Sequence, residues 1–503
     1  MPDDTTGVNL RIRVNNSASA TFDAERESLQ STSSFLSRIA LTVDPKPPCS
    51  AYEIHDFAGF AKGPTVTIIQ VSAILVVISA LLGWVNKVFI GLPHAIALLV
   101  MGMVGTLGIL AADSLIPQFE FARYAHQLLT SVNFFETVMT GMLSFLLFAG
   151  ALHVDLDRLR EQRLPIVLMA TVGVLVSTFA VGFAFYAVCW LFAVEISLIW
   201  CLVFGALISP TDPVAVLAVM KTINVDKNLE TKIAGESLFN DGVGVIAFTV
   251  LVGIAVAADG LGARGGVVDH AGSIDWWHIL EVFSVEVFGA IAFGLLAGAT
   301  VIGMMKRVDD AAVETLISLA LVLGTSVLCW SLHMSAPIAV VVAGLLIGNI
   351  GAKRVMSERT RNHLFPFWEM VDEILNSVLF LLIGLEVLII QFVSGYIVPA
   401  ILCIPIVLAA RFASVAIPIR TLHRLRHQFA KGSIRIMTWG GVRGGVSVAL
   451  ALSLPYTDAK PLIMMATYVV VVFSIIVQGL TVGALVKRIS REPGCMKDMS
   501  TAM

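Results

Sequence analysis

The chain has 503 residues, of which 57% are hydrophobic and only 14% are charged. Soluble domains carry about 25% charged residues, so this balance excludes a soluble protein and indicates a polytopic membrane protein. The formal net charge of −3 argues against a nucleic-acid partner, and six scattered cysteines without a CxxC pair indicate neither a metal centre nor a disulfide framework.

The N-terminal segment differs from the rest of the chain. Residues 1–62 are polar and rich in Ser, Thr, Asp and Glu, and they lack the apolar core of a signal peptide. We therefore expect a mostly disordered tail over residues 1–62. A membrane domain over residues 63–487 and a short cytoplasmic tail over residues 488–503 follow it.

From Thr65 onward, apolar runs close to the ~20-residue length of a spanning helix follow one another. They predict an all-α polytopic fold with about thirteen transmembrane helices. The runs cover approximately residues 65–85, 88–111, 132–153, 164–191, 197–220, 229–257, 277–305, 311–332, 335–350, 366–391, 395–419, 434–455 and 461–486.

Lys and Arg are concentrated in alternate loops between these runs, whereas the other loops carry only Arg123, Arg264 and Lys460. Because cytoplasmic loops are enriched in basic residues, this asymmetry predicts a cytoplasmic C-terminus. An odd number of spans then places the N-terminus outside. We expect an integral protein of the plasma membrane, which in a bacterium is the inner membrane.

Two of the predicted spans are interrupted. In the fifth, Pro210 and Pro213 bracket Thr211 and Asp212, and proline breaks a helix because it removes a hydrogen bond and clashes with the preceding turn. In the twelfth, four glycines flank Arg443, and we expect unwinding because glycine tolerates unusual dihedral angles. Paired interrupted spans are typical of transporters with inverted repeats, so we map residues 164–257 onto residues 395–486 as the core.

The sixth span carries a polar cluster, Glu236, Ser237, Asn240 and Asp241, inside an apolar run. Ionisable groups at that depth cost at least ~2.5–3.5 kcal/mol each and mark ion or proton pathways. Residues four apart share a helix face, so Ser237 and Asp241 form one stripe that offers oxygen ligands. Glu236 and Asn240 form the neighbouring stripe, which can brace against another helix.

Four motifs occur in order along the chain: Ser209-Pro-Thr-Asp-Pro213, Gly235-Glu-Ser-Leu-Phe-Asn-Asp-Gly242, Ala410-Arg-Phe-Ala-Ser-Val415 and Gly440-Gly-Val-Arg-Gly-Gly445. With them the chain, over residues 65–487, resembles the monovalent cation:proton antiporter-1 family, the NhaP-type sodium/proton antiporters and their eukaryotic exchanger relatives. The resemblance implies a thirteen-helix fold with a dimerisation domain, a core built around two crossed discontinuous helices, a homodimer and alternating access.

The resemblance also implies roles for individual residues. Asp212, Ser237 and Asp241, with the backbone at Thr211, are the expected ligands of the transported cation and the proton. Glu236 and Arg411 are the expected structural ion pair, with Asn240 alongside. A buried arginine is costly without an acidic partner. For Arg443 three readings stay open: competition for Glu236, shaping the field between the two breaks, or binding a loop acid.

Together, the residues and the resemblance predict a secondary antiporter that exchanges Na⁺, or Li⁺, for H⁺ in pH and sodium homeostasis. Three intramembrane carboxylates and two guanidinium groups leave one net negative charge, which predicts electroneutral 1:1 exchange. K⁺/H⁺ exchange stays open because the ligand set does not fix cation size, and a cation channel is the alternative from another class. An enzyme is not expected, because the sequence has neither a nucleophile–base set nor a metal-ligand cluster, and no cofactor is expected besides the transported ions.

Overall fold

The computed structural model describes residues 68–115, 137–213, 216–217, 220, 227–259, 284–388, 390, 393–424, 429 and 432–490. Almost all of them are helical. The predicted tail over residues 1–62 lies outside the described residues, as does the C-terminal segment from residue 491. The last helix continues to Ser490, so the short predicted C-terminal tail begins within a helix.

The helices of the first half lie in the order in which the apolar runs predict them. They are α1 (Ile68–Val85), α2 (His94–Leu115), α3 (Leu143–His153), α4 (Leu156–Glu161), α5 (Arg163–Leu191), α6 (Leu198–Ile208) and α7 (Lys227–Ala258). Short π-helical turns extend α1 over Asn86–Ile90, precede α3 over Thr137–Met142 and interrupt α5 over Met169–Gly173.

The second half contains nine helices within the described residues. They are α8 (Ala290–Met305), α9 (Ala311–Ser331), α10 (Ala336–Arg354), α11 (Glu358–Leu385), α12 (Ile397–Arg424), α13 (Ser433–Trp439), α14 (Gly445–Leu452), α15 (Lys460–Phe473) and α16 (Gly479–Ser490). A π-helical turn over Ser474–Gln478 joins α15 to α16.

Within the described residues, nine helices, taken with their π-helical turns, are long and apolar enough to cross a membrane. The shorter helices α3 and α6 are also apolar. The predicted all-α polytopic fold is therefore confirmed. The count of thirteen stays a prediction, because several predicted spans extend into residues outside the described ranges.

Two predicted boundaries are wrong for local reasons. The second span begins at His94 instead of residue 88, because Asn86–Ile90 continues the first helix. Asn86 stabilises the turn that follows this helix. The Asn86 side chain donates to the carbonyl of Leu92 at 2.9 Å and accepts from its N–H at 3.1 Å. The tenth span begins at Glu358, where the Ser357 hydroxyl caps a polar first turn that a hydropathy criterion does not count.

The helices pack in two groups. In one group α5 packs against α6 and α12, α6 packs against α7, and α12 and α14 pack against α15. In the other group α11 packs against α2, α3 and α9, and α10 packs against α3, α8 and α9. The first group contains both interrupted spans and coincides with the two stretches that the sequence predicts as the core.

The two interrupted spans cross at their breaks. Helix α6 ends at Ile208, and the other helix is interrupted between Trp439 and Gly445. Between them the Asp212 N–H donates to the carbonyl of Val442 at 2.7 Å, which forms an isolated antiparallel bridge. Each break thereby satisfies backbone groups of the other, as irregular backbone at membrane depth requires. The predicted pair of crossed discontinuous helices is confirmed.

Candidate functional site

The four predicted ion ligands, Thr211, Asp212, Ser237 and Asp241, line one cavity of about 400 Å³. Its walls come from α7 of the first helix group, from α3 and α11 of the second group, and from the breaks after α6 and before α14. The stripe of Ser237 and Asp241 faces this cavity, as their spacing predicts. The structure therefore brings the four residues together at the crossing point.

Asp212 and Asp241 are both half-buried. Asp212 lies in the break after α6 and Asp241 lies on α7, and both side chains line the same cavity. Hard monovalent cations prefer oxygen ligands, and a partly dry pair of carboxylates can hold either a cation or a proton. The geometry is thus suited to binding one positive charge in either form.

The broken segment after α6 is fastened to α7 by two side chains. The Ser237 hydroxyl donates a short hydrogen bond to the Thr211 carbonyl. The Asn240 amide donates to the Thr211 hydroxyl at 2.8 Å, and its oxygen accepts from the Thr211 N–H at 3.5 Å. Asn240 therefore anchors the break itself, whereas the sequence reading placed it beside the ion pair.

Glu236 and Arg411 form a bidentate ion pair on the side of α7 that faces α12. One guanidinium nitrogen lies 2.5 Å from Oε1 and the other lies 3.0 Å from Oε2. The two side chains are only 3% and 8% exposed, and Nε of Arg411 also donates to the Met437 carbonyl at 3.3 Å. The pair thus ties α7 to both α12 and α13.

Arg443 is fully enclosed and pairs with backbone instead of a carboxylate. Its guanidinium donates to the carbonyls of Ser209 and Pro210, the first of these through a very short hydrogen bond. These carbonyls follow the C-terminal end of α6, where the helix dipole favours a positive charge. Among the described residues its side-chain hydrogen bonds go to backbone carbonyls, and the three roles that the sequence left open for Arg443 stay predictions.

The sequence reading missed a clamp provided by the π-helical turn between α15 and α16. The Ser474 hydroxyl accepts from the Arg443 N–H at 2.9 Å and donates to the Gln478 side chain at 2.5 Å. Gln478 in turn donates to the Trp439 carbonyl at 2.9 Å. The turn therefore holds both ends of the second break, and the one available signal was a polar pair four residues apart in an apolar run.

The glycines of the second break provide space rather than unusual dihedral angles. Gly440 and Gly444 have φ angles of −80° and −120°, which other residues also adopt. A Cβ atom on Gly444 would lie 2.7 Å from Oδ2 of Asp212, and one on Gly441 would overlap the Arg411 side chain. The predicted unwinding is present, but the reason given for it is corrected: these glycines let two functional side chains approach the backbone.

The cavity continues from the aspartates toward the start of α7. Glu230 on α7 and Glu369, Asp372 and Glu373 on α11 line it as well. Glu230 and Asp241 lie on one helix, ~16 Å apart along the axis at the α-helical rise. These four acidic side chains form what we call the acidic rim of the cavity.

Comparison with known proteins identifies the family to which this chain is similar. The family described as "Sodium/hydrogen exchanger, transmembrane" matches residues 75–488. The chain is 44% identical over 421 residues to the Na⁺/H⁺ antiporter NhaP of Pseudomonas aeruginosa, which covers 83% of this chain and 96% of that protein. It is 33% identical over 406 residues to NhaH of Halobacillus aidingensis, over 79% of this chain and 92% of that protein.

A solved structure shares the fold. The sodium/proton antiporter MjNhaP1 of Methanocaldococcus jannaschii at pH 8 superposes with a TM-score of 0.64 at 19% sequence identity. The match covers 84% of this chain and 99% of that one.

Proposed function

Because this chain belongs to the sodium/hydrogen exchanger family, and is thus an integral membrane transporter and not an enzyme, we propose that it exchanges Na⁺ for H⁺ at Asp212 and Asp241. The observation that carries this proposal is the single cavity lined by both aspartates, Ser237 and Thr211. Li⁺ is proposed as a second substrate, because the same hard oxygen ligands suit it.

Coupling arises because proton and cation compete for the same oxygens. A proton on the aspartate pair removes the negative charge that a cation needs, and a bound cation excludes the proton. Ser237 and the Thr211 carbonyl add neutral oxygens beside the carboxylates. We propose that the core group of helices then moves relative to the second group, so that the occupied site faces each side of the membrane alternately.

The direct test uses proteoliposomes that contain a pH-sensitive dye. Na⁺ and Li⁺ should drive proton movement through the purified protein, with saturation, whereas an equal K⁺ addition should drive it weakly. Because protons compete with the cation, the apparent KM for Na⁺ should rise as pH falls. A larger response to K⁺ than to Na⁺ would assign the K⁺/H⁺ alternative, and flux that does not saturate and is independent of protons would indicate a channel.

Electroneutral 1:1 exchange is part of this proposal, and the charges at the crossing of the two breaks support it. The Glu236–Arg411 pair is neutral within itself. The two aspartates and Arg443 then leave one net negative charge, which one proton or one Na⁺ balances. The loaded carrier is neutral in both directions, so the transport rate should not change when a K⁺ diffusion potential is imposed across the liposome membrane. A rate that scales with the imposed potential would contradict this stoichiometry.

Orientation and assembly belong to the same proposal. The distribution of basic residues supports a cytoplasmic C-terminus and an external N-terminus in the plasma membrane. The acidic rim of the cavity then faces the cytoplasm, so the described conformation corresponds to an inward-facing state. The family resemblance supports a homodimer, and a role in pH and sodium homeostasis follows from the proposed exchange.

A further inference from the structure

An apolar groove of about 540 Å³ lies between α12, α13 and α16. It shares no lining residue with the cation cavity. Its walls include Phe412, Trp439 and Leu485, and its polar end carries Arg435 and Arg488. The groove therefore combines a long apolar surface with a concentrated positive charge at one end.

The positive end lies where the spanning helices end. Arg435 is in the short helix α13 close to its start, and Arg488 is in the last turn of α16. Arg420, near the end of α12, does not line the groove, but its guanidinium lies 6.0 Å from the centre of the ring of Phe412, which does. Among the described residues that line the groove, none is acidic. The charge of this end is therefore suited to an anion.

The apolar part of the groove runs along the spanning helices. Phe412 is 46% exposed, although it is a large apolar side chain. The indole N–H of Trp439 donates to the Thr481 hydroxyl at 2.8 Å, so the polar edge of that ring is satisfied within the protein. Thr481 and Arg488 both line the groove and lie ~10 Å apart along α16. This length accommodates the upper half of an acyl chain below a headgroup.

We propose that this groove binds one anionic phospholipid of the surrounding bilayer. Its phosphate lies against Arg435 and Arg488, because guanidinium groups bind phosphate oxygens through paired hydrogen bonds. One acyl chain packs along Phe412, Trp439 and Leu485. Basic pockets between spanning helices favour anionic headgroups, whereas the cationic part of a zwitterionic headgroup would be repelled by the two arginines that line the groove.

The position of the groove gives the lipid a mechanical role. A bound lipid bridges α12, α13 and α16, and α13 leads directly into the break that pairs Val442 with Asp212. The Trp439 carbonyl at the end of α13 is held by Gln478. The lipid thus reinforces the helix that positions one side of the crossing, and its binding should raise the stability of the folded protein.

The test measures thermal unfolding of the purified full-length protein in neutral detergent with added lipid. Phosphatidylglycerol should raise the melting temperature, whereas phosphatidylcholine and soluble glycerol phosphate, which lacks acyl chains, should not. The double variant Arg435→Gln/Arg488→Gln should lose most of the phosphatidylglycerol shift. The matched control Arg359→Gln/Arg361→Gln, which removes two exposed arginines at the start of α11 outside the groove, should keep it.

Native mass spectrometry provides an independent readout if the double variant unfolds too readily to be melted. The protein should retain a phosphatidylglycerol molecule that the single variant Arg488→Gln releases at lower collision energy. Equal shifts with phosphatidylglycerol and phosphatidylcholine would overturn the proposal. An undiminished phosphatidylglycerol shift in the folded double variant, or undiminished retention in Arg488→Gln, would overturn it as well.

Discussion

Asp241→Asn is expected to reduce Na⁺-driven proton exchange to the level of empty liposomes while leaving the protein folded. Asparagine keeps the size of the side chain and one oxygen ligand, but it can neither take up nor release a proton. It also removes a negative charge that offsets the cation, and an uncompensated charge at membrane depth is costly. The measurement is cation-induced dequenching of a pH dye in proteoliposomes, with Na⁺ and Li⁺ compared.

The control for this variant is Glu386→Gln, which removes a different carboxylate, one in a residue that is only 2% exposed. Glu386 does not line the cation cavity, so this variant should exchange Na⁺ for H⁺ as the unmodified protein does. Binding gives a second readout, because Na⁺ should raise the melting temperature of the unmodified protein but not that of Asp241→Asn. Robust Na⁺-driven exchange by Asp241→Asn would remove Asp241 from the site.

The geometry of α7 could be read from the sequence because it is local. A regular helix fixes which side chains share a face, so the spacing of Glu236, Ser237, Asn240 and Asp241 was sufficient to separate two stripes. The structure places Ser237 and Asp241 on the cavity and Glu236 on Arg411. The breaks were equally predictable, since paired prolines and clustered glycines disfavour a continuous helix.

The partners across the crossing could not be read in the same way. The first break leaves some backbone carbonyls without a hydrogen-bond donor. Which of them find a new donor depends on the path of the second break, and the spacing of residues along the chain does not encode this path. Arg443 therefore reaches carbonyls of Ser209 and Pro210 instead of an acid, and Asn240 reaches Thr211. The Ser474 and Gln478 clamp was hidden for the same reason.

Helix boundaries depended on interactions that hydropathy does not measure. The polar start of α11 is stabilised by the Ser357 cap, and the first span is prolonged by the Asn86 side chain at its turn. The need for glycine at position 444 came from the approach of Asp212, a contact between residues far apart in sequence. Sequence patterns thus located the elements of the site, while tertiary contacts determined how these elements are held together.

Glu236→Gln is expected to destabilise the protein without removing the ion site. The substitution leaves the buried Arg411 side chain without its negative partner. Breaking one side of a buried ion pair destabilises a protein by about 3–5 kcal/mol, because the remaining charge stays desolvated. The melting temperature of the purified variant should fall by several degrees, and the fraction that stays folded should still respond to Na⁺.

Two further variants separate the ion pair from a general sensitivity of these helices. Glu161→Gln removes an exposed glutamate at the end of α4 and should leave the melting temperature unchanged. Glu236→Gln/Arg411→Gln removes both charges, so it should be more stable than Glu236→Gln alone, since no uncompensated charge remains buried. A melting temperature of Glu236→Gln equal to that of the unmodified protein would show that the pair does not brace α7. Loss of the Na⁺ response in folded Glu236→Gln would instead move Glu236 into the ion site.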